Sequence, residues 1–139
     1  MTSRTTGEQL MSRREPPVRR REGVREVRQE GLPTVMELHT YTLVSADALH
    51  RYTTSFWPRH IQSLRRHGIT VHGVWIDAGT DVHRVLALVG YPPGSDPVRL
   101  AESYRASVEF VEDHANFELS LINSAQTTTL EPIPGSPLL

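Results

Sequence analysis

Two runs rich in β-branched and aliphatic residues, Ile69 to Ile76 and Val82 to Tyr91, are separated by only Asp77-Ala78-Gly79-Thr80-Asp81. That pairing constrains the chain more than any other feature. Five turn-forming residues with a glycine close an antiparallel hairpin and are too few for the crossover that a parallel pair requires. In the second run Val85, Ala87 and Val89 alternate with Leu86 and Leu88. Alternate residues of a strand face opposite ways, so the sheet containing this hairpin carries apolar side chains on both faces.

The flanking sequence supplies the rest of the architecture. Met36 to Val44 alternates as a first strand, with Leu38, Thr40 and Thr42 on one side and Glu37, His39 and Tyr41 on the other. Ser45 or Asp47 is suited to cap a helix running to about His67 and stopping at Gly68, with Pro58 expected to kink it and free the Thr54 carbonyl. Pro92-Pro93-Gly94 ends the hairpin. Ser95 or Asp96 then caps a second helix, with Pro97 in its first turn and Ala101, Tyr104, Val108 and Val111 expected along its inward side. Residues 114–123 read as a helical continuation or short extra helix, and Ser124 to Glu131 as a fourth strand. The order βαββαβ predicts an α+β, ferredoxin-like domain, a four-stranded antiparallel sheet with both helices on one face. The other face then needs a partner, and packing two sheets face to face predicts a homodimer of the dimeric α/β-barrel type.

At 139 residues the chain has room for one domain of ordinary size. Residues 1–33 form a separate segment with eight arginines, five glutamates and three prolines but few large apolar side chains, and are expected to be disordered. The domain is expected over residues 34–139. A start codon at Val35 would begin translation at the first strand and leave the leader unmade. The leader carries +3 and the remainder, with seven arginines against eleven carboxylates, −4. A mildly acidic domain gives no reason to expect a nucleic-acid or anionic-membrane surface. No apolar run reaches the length of a membrane span, and the N-terminus lacks the apolar core of a secretory signal, so the chain reads as cytoplasmic. Cysteine and lysine are both absent, which removes thiolate, disulfide and Schiff-base chemistry.

The stretch Glu37-Leu38-His39-Thr40-Tyr41-Thr42-Leu43, followed by Arg65-Arg66-His67-Gly68 and Gly73-Val74-Trp75, resembles the NIPSNAP family in residue type, order and spacing. The resemblance covers mainly residues 36 to 91. It implies the dimeric α/β-barrel fold, shared by small cofactor-free monooxygenases, isomerases, cyclases and decarboxylating or dehydrating enzymes. The sequence departs from the family pattern where an arginine is usual in strand one and an asparagine opens strand three. Here those places hold His39 and Asp81 or His83.

Among chemically competent residues, His60 falls near the middle of the apolar arc that Leu49, Phe56, Trp57 and Leu64 form on a helical wheel, with His67 close by. A histidine facing the sheet from such a stripe is placed as a general acid or base. His39, Tyr41 and His72 are candidates to polarise a carbonyl or enolate. Phe56, Trp57, His67, Trp75 and Tyr104 are candidates to line a substrate site. Asp113-His114 could form a proton relay, but beside Glu112 it reads as a solvated face. Seven histidines invite a metal reading, yet no His-x-His or His-Glu-x-x-His spacing occurs, so no metal site is expected. No phosphate loop, nucleophile elbow or dinucleotide fingerprint occurs either, and no cofactor is expected.

These residues predict a cofactor-independent enzyme of specialised or catabolic metabolism. It would act by acid/base chemistry on a small apolar, carbonyl-bearing or polycyclic metabolite in a cleft between helix one and the sheet. Cyclisation, isomerisation, dehydration and oxygen-dependent oxidation by a monooxygenase all fit. The competing expectation is a non-catalytic homodimer that binds a ligand or partner.

Overall fold

The structure, a computed structural model, describes residues 35–138, so the expectations for the arginine-rich leader lie outside the described residues. Strand β1 (Val35–Leu43) leads into α1 (Ala46–Arg51), a π-helical turn (Tyr52–Phe56) and α2 (Trp57–Arg66). Strands β2 (Thr70–Ile76) and β3 (Arg84–Tyr91) follow, then α3 (Pro97–Arg105), α4 (Val108–Asp113), a 3-10 turn (Leu119–Leu121) and β4 (Ile122–Leu130). The strands lie in the order β2-β3-β1-β4 with every pairing antiparallel. This is the ferredoxin-like α+β fold that the hairpin and the flanking alternation predict.

Local chemistry sets the ends of the elements. The Ser45 side chain accepts a hydrogen bond from the Ala48 N–H at 3.1 Å to open α1, and Asp96 accepts from the Val98 N–H at 3.1 Å to open α3. Gly68 ends α2 at φ +80°, a conformation that costs a residue with a Cβ. The irregularity expected at Pro58 takes the form of the π turn just before it. Proline offers no N–H to the Thr54 carbonyl, and the Trp57 N–H instead donates five residues back to Tyr52. Pro58 itself sits in the first turn of α2, where a missing N–H is harmless.

The second helix corrects the sequence reading. It breaks at Ala106–Ser107, and the Ser107 hydroxyl caps a new helix by accepting from the Phe110 N–H at 3.3 Å. The break resets the helical phase. Val108 and Val111, expected inward, are 63% and 65% exposed, whereas Asp113, expected in solvent, is 3% exposed.

The core packs Ala48, Tyr52, Phe56, Trp57 and Leu64 against Val85, Ala87, Val89 and Tyr91, with Tyr104 and Phe117 closing it. Cross-strand partners Tyr41↔Val85, His39↔Ala87 and Glu37↔Val89 share that helix-facing side. Leu38, Leu86, Leu88 and Trp75 lie on the opposite face. That face is only partly covered, and Trp75 is 54% exposed. Strand β4 has no buried residue on either face. Among the described residues no helix is long and apolar enough to cross a membrane.

Candidate active site

His60 lies on α2 in a buried polar cluster assembled from three helices. Its Nδ1 is 3.0 Å from the Tyr104 hydroxyl and 3.2 Å from Asp113 Oδ2. Tyr104 donates to Asp113 Oδ2 at 2.7 Å, and Ser63, one turn along α2 from His60, donates to Oδ1 at 2.9 Å. Both hydroxyl protons are therefore committed to the carboxylate. Nδ1 must carry a proton to bond either neighbour, which fixes the imidazole as the Nδ1–H tautomer and leaves a lone pair on Nε2. Nε2 has no hydrogen-bond partner among the described residues, and the side chain keeps 11% of its surface exposed. Phe56, Trp57 and Tyr104 surround the ring at centroid distances of 4.6, 4.8 and 5.1 Å.

Burial lowers the His60 pKa below its ordinary value. Asp113 opposes the shift through its hydrogen bond and charge, and His114 and His39 add to it. Burial alone would raise the Asp113 carboxyl, but the hydrogen bonds from His60, Tyr104 and Ser63 outweigh it and hold the group below its ordinary value. Burial and the same carboxylate push the Tyr104 phenol far up. The cluster thus rests as neutral imidazole, carboxylate and protonated phenol. The imidazole so held is a base at Nε2 and, once protonated, an acid at the same atom.

A second polar row crosses the sheet beneath the helices. The Tyr41 hydroxyl lies 3.3 Å from His39 Nδ1, His39 Nε2 lies 3.0 Å from Glu37 Oε1, and Tyr91 donates to the same Oε1 at 2.9 Å. Burial, then the Glu37 charge, raise the Tyr41 phenol, which stays protonated as a donor. Tyr41 also meets Trp57 at a ring-centroid distance of 6.1 Å, so the indole lies between this row and His60. Trp57 Nε1 is buried without a hydrogen-bond partner among the described residues.

The structure thus groups His60 with Phe56, Trp57 and Tyr104, and His39 with Tyr41 on the facing side of the sheet. The remaining sequence candidates lie elsewhere. His67 bonds Ser103 Oγ at 3.0 Å and Glu109 Oε1 at 3.1 Å, so both ring nitrogens tie the end of α2 to α3 and α4. His72 is exposed at the register shift between Val71 and Gly73. Trp75 pairs with Leu86, which puts it on the face away from the helices and does not fit the substrate-lining part assigned to it. Sequence reasoning missed Ser63, Glu37 and Tyr91, and it weighed Asp113 as part of a relay but set it aside as a solvated face. Glu37 had a usable signal, since alternation already placed it beside His39 and Tyr41.

No family model matches the chain, and no curated protein matches it. Solved structures do. A NIPSNAP family protein of unknown function from Agrobacterium tumefaciens is similar over 77% of this chain and 95% of its own, with 17% identity and a TM-score of 0.66. A NIPSNAP-like domain protein from Burkholderia xenovorans is similar over 76% of this chain and 90% of its own, with 22% identity and a TM-score of 0.65. A candidate antibiotic biosynthesis monooxygenase from Nitrosomonas europaea is similar over 73% and 93%, with 13% identity and a TM-score of 0.53. At these identities the likeness establishes the fold, and it falls on the family that the sequence resembles.

Proposed function

We propose that this chain is a cofactor-independent enzyme in which His60 moves a proton on a small, largely apolar, carbonyl-bearing metabolite. The observation that carries the proposal is the buried Asp113–His60 pair, which leaves one unpartnered imidazole nitrogen as a base. Nε2 would take a proton from a carbon next to the carbonyl and return it to another position, giving isomerisation, cyclisation or dehydration without an external electron acceptor. The Tyr41 hydroxyl, held to His39 over a long 3.3 Å, is able to turn towards the developing enolate oxygen. Phe56 and Trp57 supply apolar walls that keep water from the intermediate. The likeness to a candidate monooxygenase supports a second form of this reading, in which the deprotonated substrate meets molecular oxygen.

The partly exposed face bearing Leu38, Leu86, Leu88 and Trp75 supports a homodimer built through the sheets, and we propose that it acts in the cytoplasm. The test is to incubate the purified protein and its His60→Ala variant with a metabolite extract of the source organism and compare the mixtures by mass spectrometry. Consumption of one compound by the unmodified protein alone supports the enzyme. Identical mixtures, with a compound retained by both proteins, transfer the assignment to a non-catalytic binding module.

A further inference from the structure

The row along β1 departs from ordinary core chemistry. A carboxylate, an imidazole and two phenols occupy the helix-facing side of the sheet, where Val85, Ala87 and Val89 pack on the neighbouring strand. The hydrogens of this row are directed one way. Glu37 Oε1 accepts from Tyr91 and lies 3.0 Å from His39 Nε2, so Nε2 must carry a proton, and in the neutral ring Nδ1 is then left to accept from Tyr41. Two donors converge on one oxygen, while Oε2 has no partner among the described residues. Among the described residues no arginine pairs with Glu37, whose one close basic neighbour is His39, and its side chain is 13% exposed. Oε2 is not among the buried unpartnered atoms, so this mostly buried carboxylate has one saturated oxygen and one that reaches the surface, open to a donor.

The sheet leaves a path to it. In register, Thr129 lies opposite Glu37, Thr127 opposite His39 and Ala125 opposite Tyr41, so β4 lines this side with short side chains. Thr129 is exposed and Thr127 half-buried, because the helical layer does not cover β4.

We infer that the Glu37–His39–Tyr41–Tyr91 row, approached over β4, is a subsite that receives a hydrogen-bond donor of the substrate, a hydroxyl or protonated amine, on Glu37 Oε2. This rests on the proposed reaction at His60 and narrows its substrate. The metabolite carries a proton-donating group at one end and the carbon acid at the other, with the Trp57 indole between the two. Glu37 is the binding residue, and Tyr91 and His39 are positioning residues that hold its carboxylate in one orientation.

The experiment is an NMR titration of ¹⁵N-labelled full-length protein with phenol and benzylamine as donors and anisole as the donor-free control, following β1 and β4 amides. Saturable shifts with both donors are expected, at least about tenfold weaker in Glu37→Gln, whose amide cannot replace a charged acceptor. Anisole is expected to leave these amides unmoved. Thr129→Trp, at an exposed position on the approach, is expected to block the donors without disturbing the fold. It supplies the same test if Glu37→Gln does not fold. Equal shifts with anisole, or donor binding unchanged in both variants, overturn the subsite. His60→Gln separates the two proposals: it is expected to bind phenol as the unmodified protein does, whatever becomes of turnover.

Discussion

Asp113 grips His60 across 53 residues of sequence, with Oδ2 at 3.2 Å from Nδ1 and the carboxylate further held by Ser63 and Tyr104. The grip sets both the tautomer and the resting charge of the imidazole. Replacing Asp113 with Asn keeps the shape but lets the amide offer a donor where only an acceptor stood. Turnover by Asp113→Asn is expected to fall about 100-fold or more, and folding free energy by about 1–3 kcal/mol, read by steady-state kinetics and urea denaturation. Ser63→Ala removes a hydrogen bond that does not touch the imidazole. It is expected to cost about 1 kcal/mol of stability while leaving turnover within a few-fold.

Stability should depend on pH in two separate windows. The folded His60 pKa lies below its ordinary 6.5, so the unfolded chain takes up the proton first. Stability from this residue is complete above about pH 6.5 and falls as pH drops from there to the folded pKa, by at most about 1.4 kcal/mol per pH unit. Asp113 runs lower. Its folded pKa lies below the ordinary 3.8, so its contribution is present above that value and is lost only as pH falls further, through the folded pKa. The groups bearing on His60 are Asp113, which raises its pKa, and His114 and His39, which lower it. Urea midpoints from pH 8 to 5 are expected to fall for the unmodified protein and to flatten in His60→Gln. An unchanged slope in that variant would assign the upper window to another histidine.

Leu86 is partly buried on the sheet face away from the helices and lies outside the core cluster. A carboxylate there would be buried against its own copy in a sheet-to-sheet dimer. Leu86→Glu is expected to sediment as a monomer, with circular dichroism unchanged. A dimer that survives the substitution places the interface on another surface.

The Trp75 indole lies across Gly73 so closely that a Cβ at position 73 would collide with the ring. Gly73→Ala must therefore push the indole aside. Because the ring is exposed and free to swing, a stability loss below about 1 kcal/mol is expected, together with a shifted indole N–H resonance for Trp75 and an unshifted one for Trp57.

What the sequence revealed, and what it concealed, divides by distance along the chain. The hairpin, the β1 alternation, the Ser45 and Asp96 caps and the Gly68 stop rest on neighbouring residues, and each was readable. His60 was readable as a histidine in an apolar stripe. Asp113 was in view only as a solvated neighbour of Glu112, because the inward face of the second helix, carried through Ser107 as if the helix ran on, turns it outward. Ser107, a strong capping residue two positions before Glu109, was the available sign of a break. Glu37 was legible as a neighbour of His39, but its bond from Tyr91 depends on the β1–β3 register, in which Val35 meets Tyr91. No local pattern encodes that pairing.

The π turn at Tyr52–Phe56 also explains an arithmetic oddity of the buried stripe. Ala48, Tyr52, Phe56, His60 and Leu64 are spaced four apart and all buried. In an unbroken α-helix each step of four drifts about 40° around the axis, and the stripe would wander off the sheet before it reached Leu64. One wider turn winds it back. The aim of His60 towards Asp113 is thus inherited from the length of a single turn upstream. Wound as an ordinary α-turn with the same residues, 52–56 would rotate the two halves of this helical segment against each other and swing the imidazole away from its carboxylate, with every side chain of the cluster still encoded.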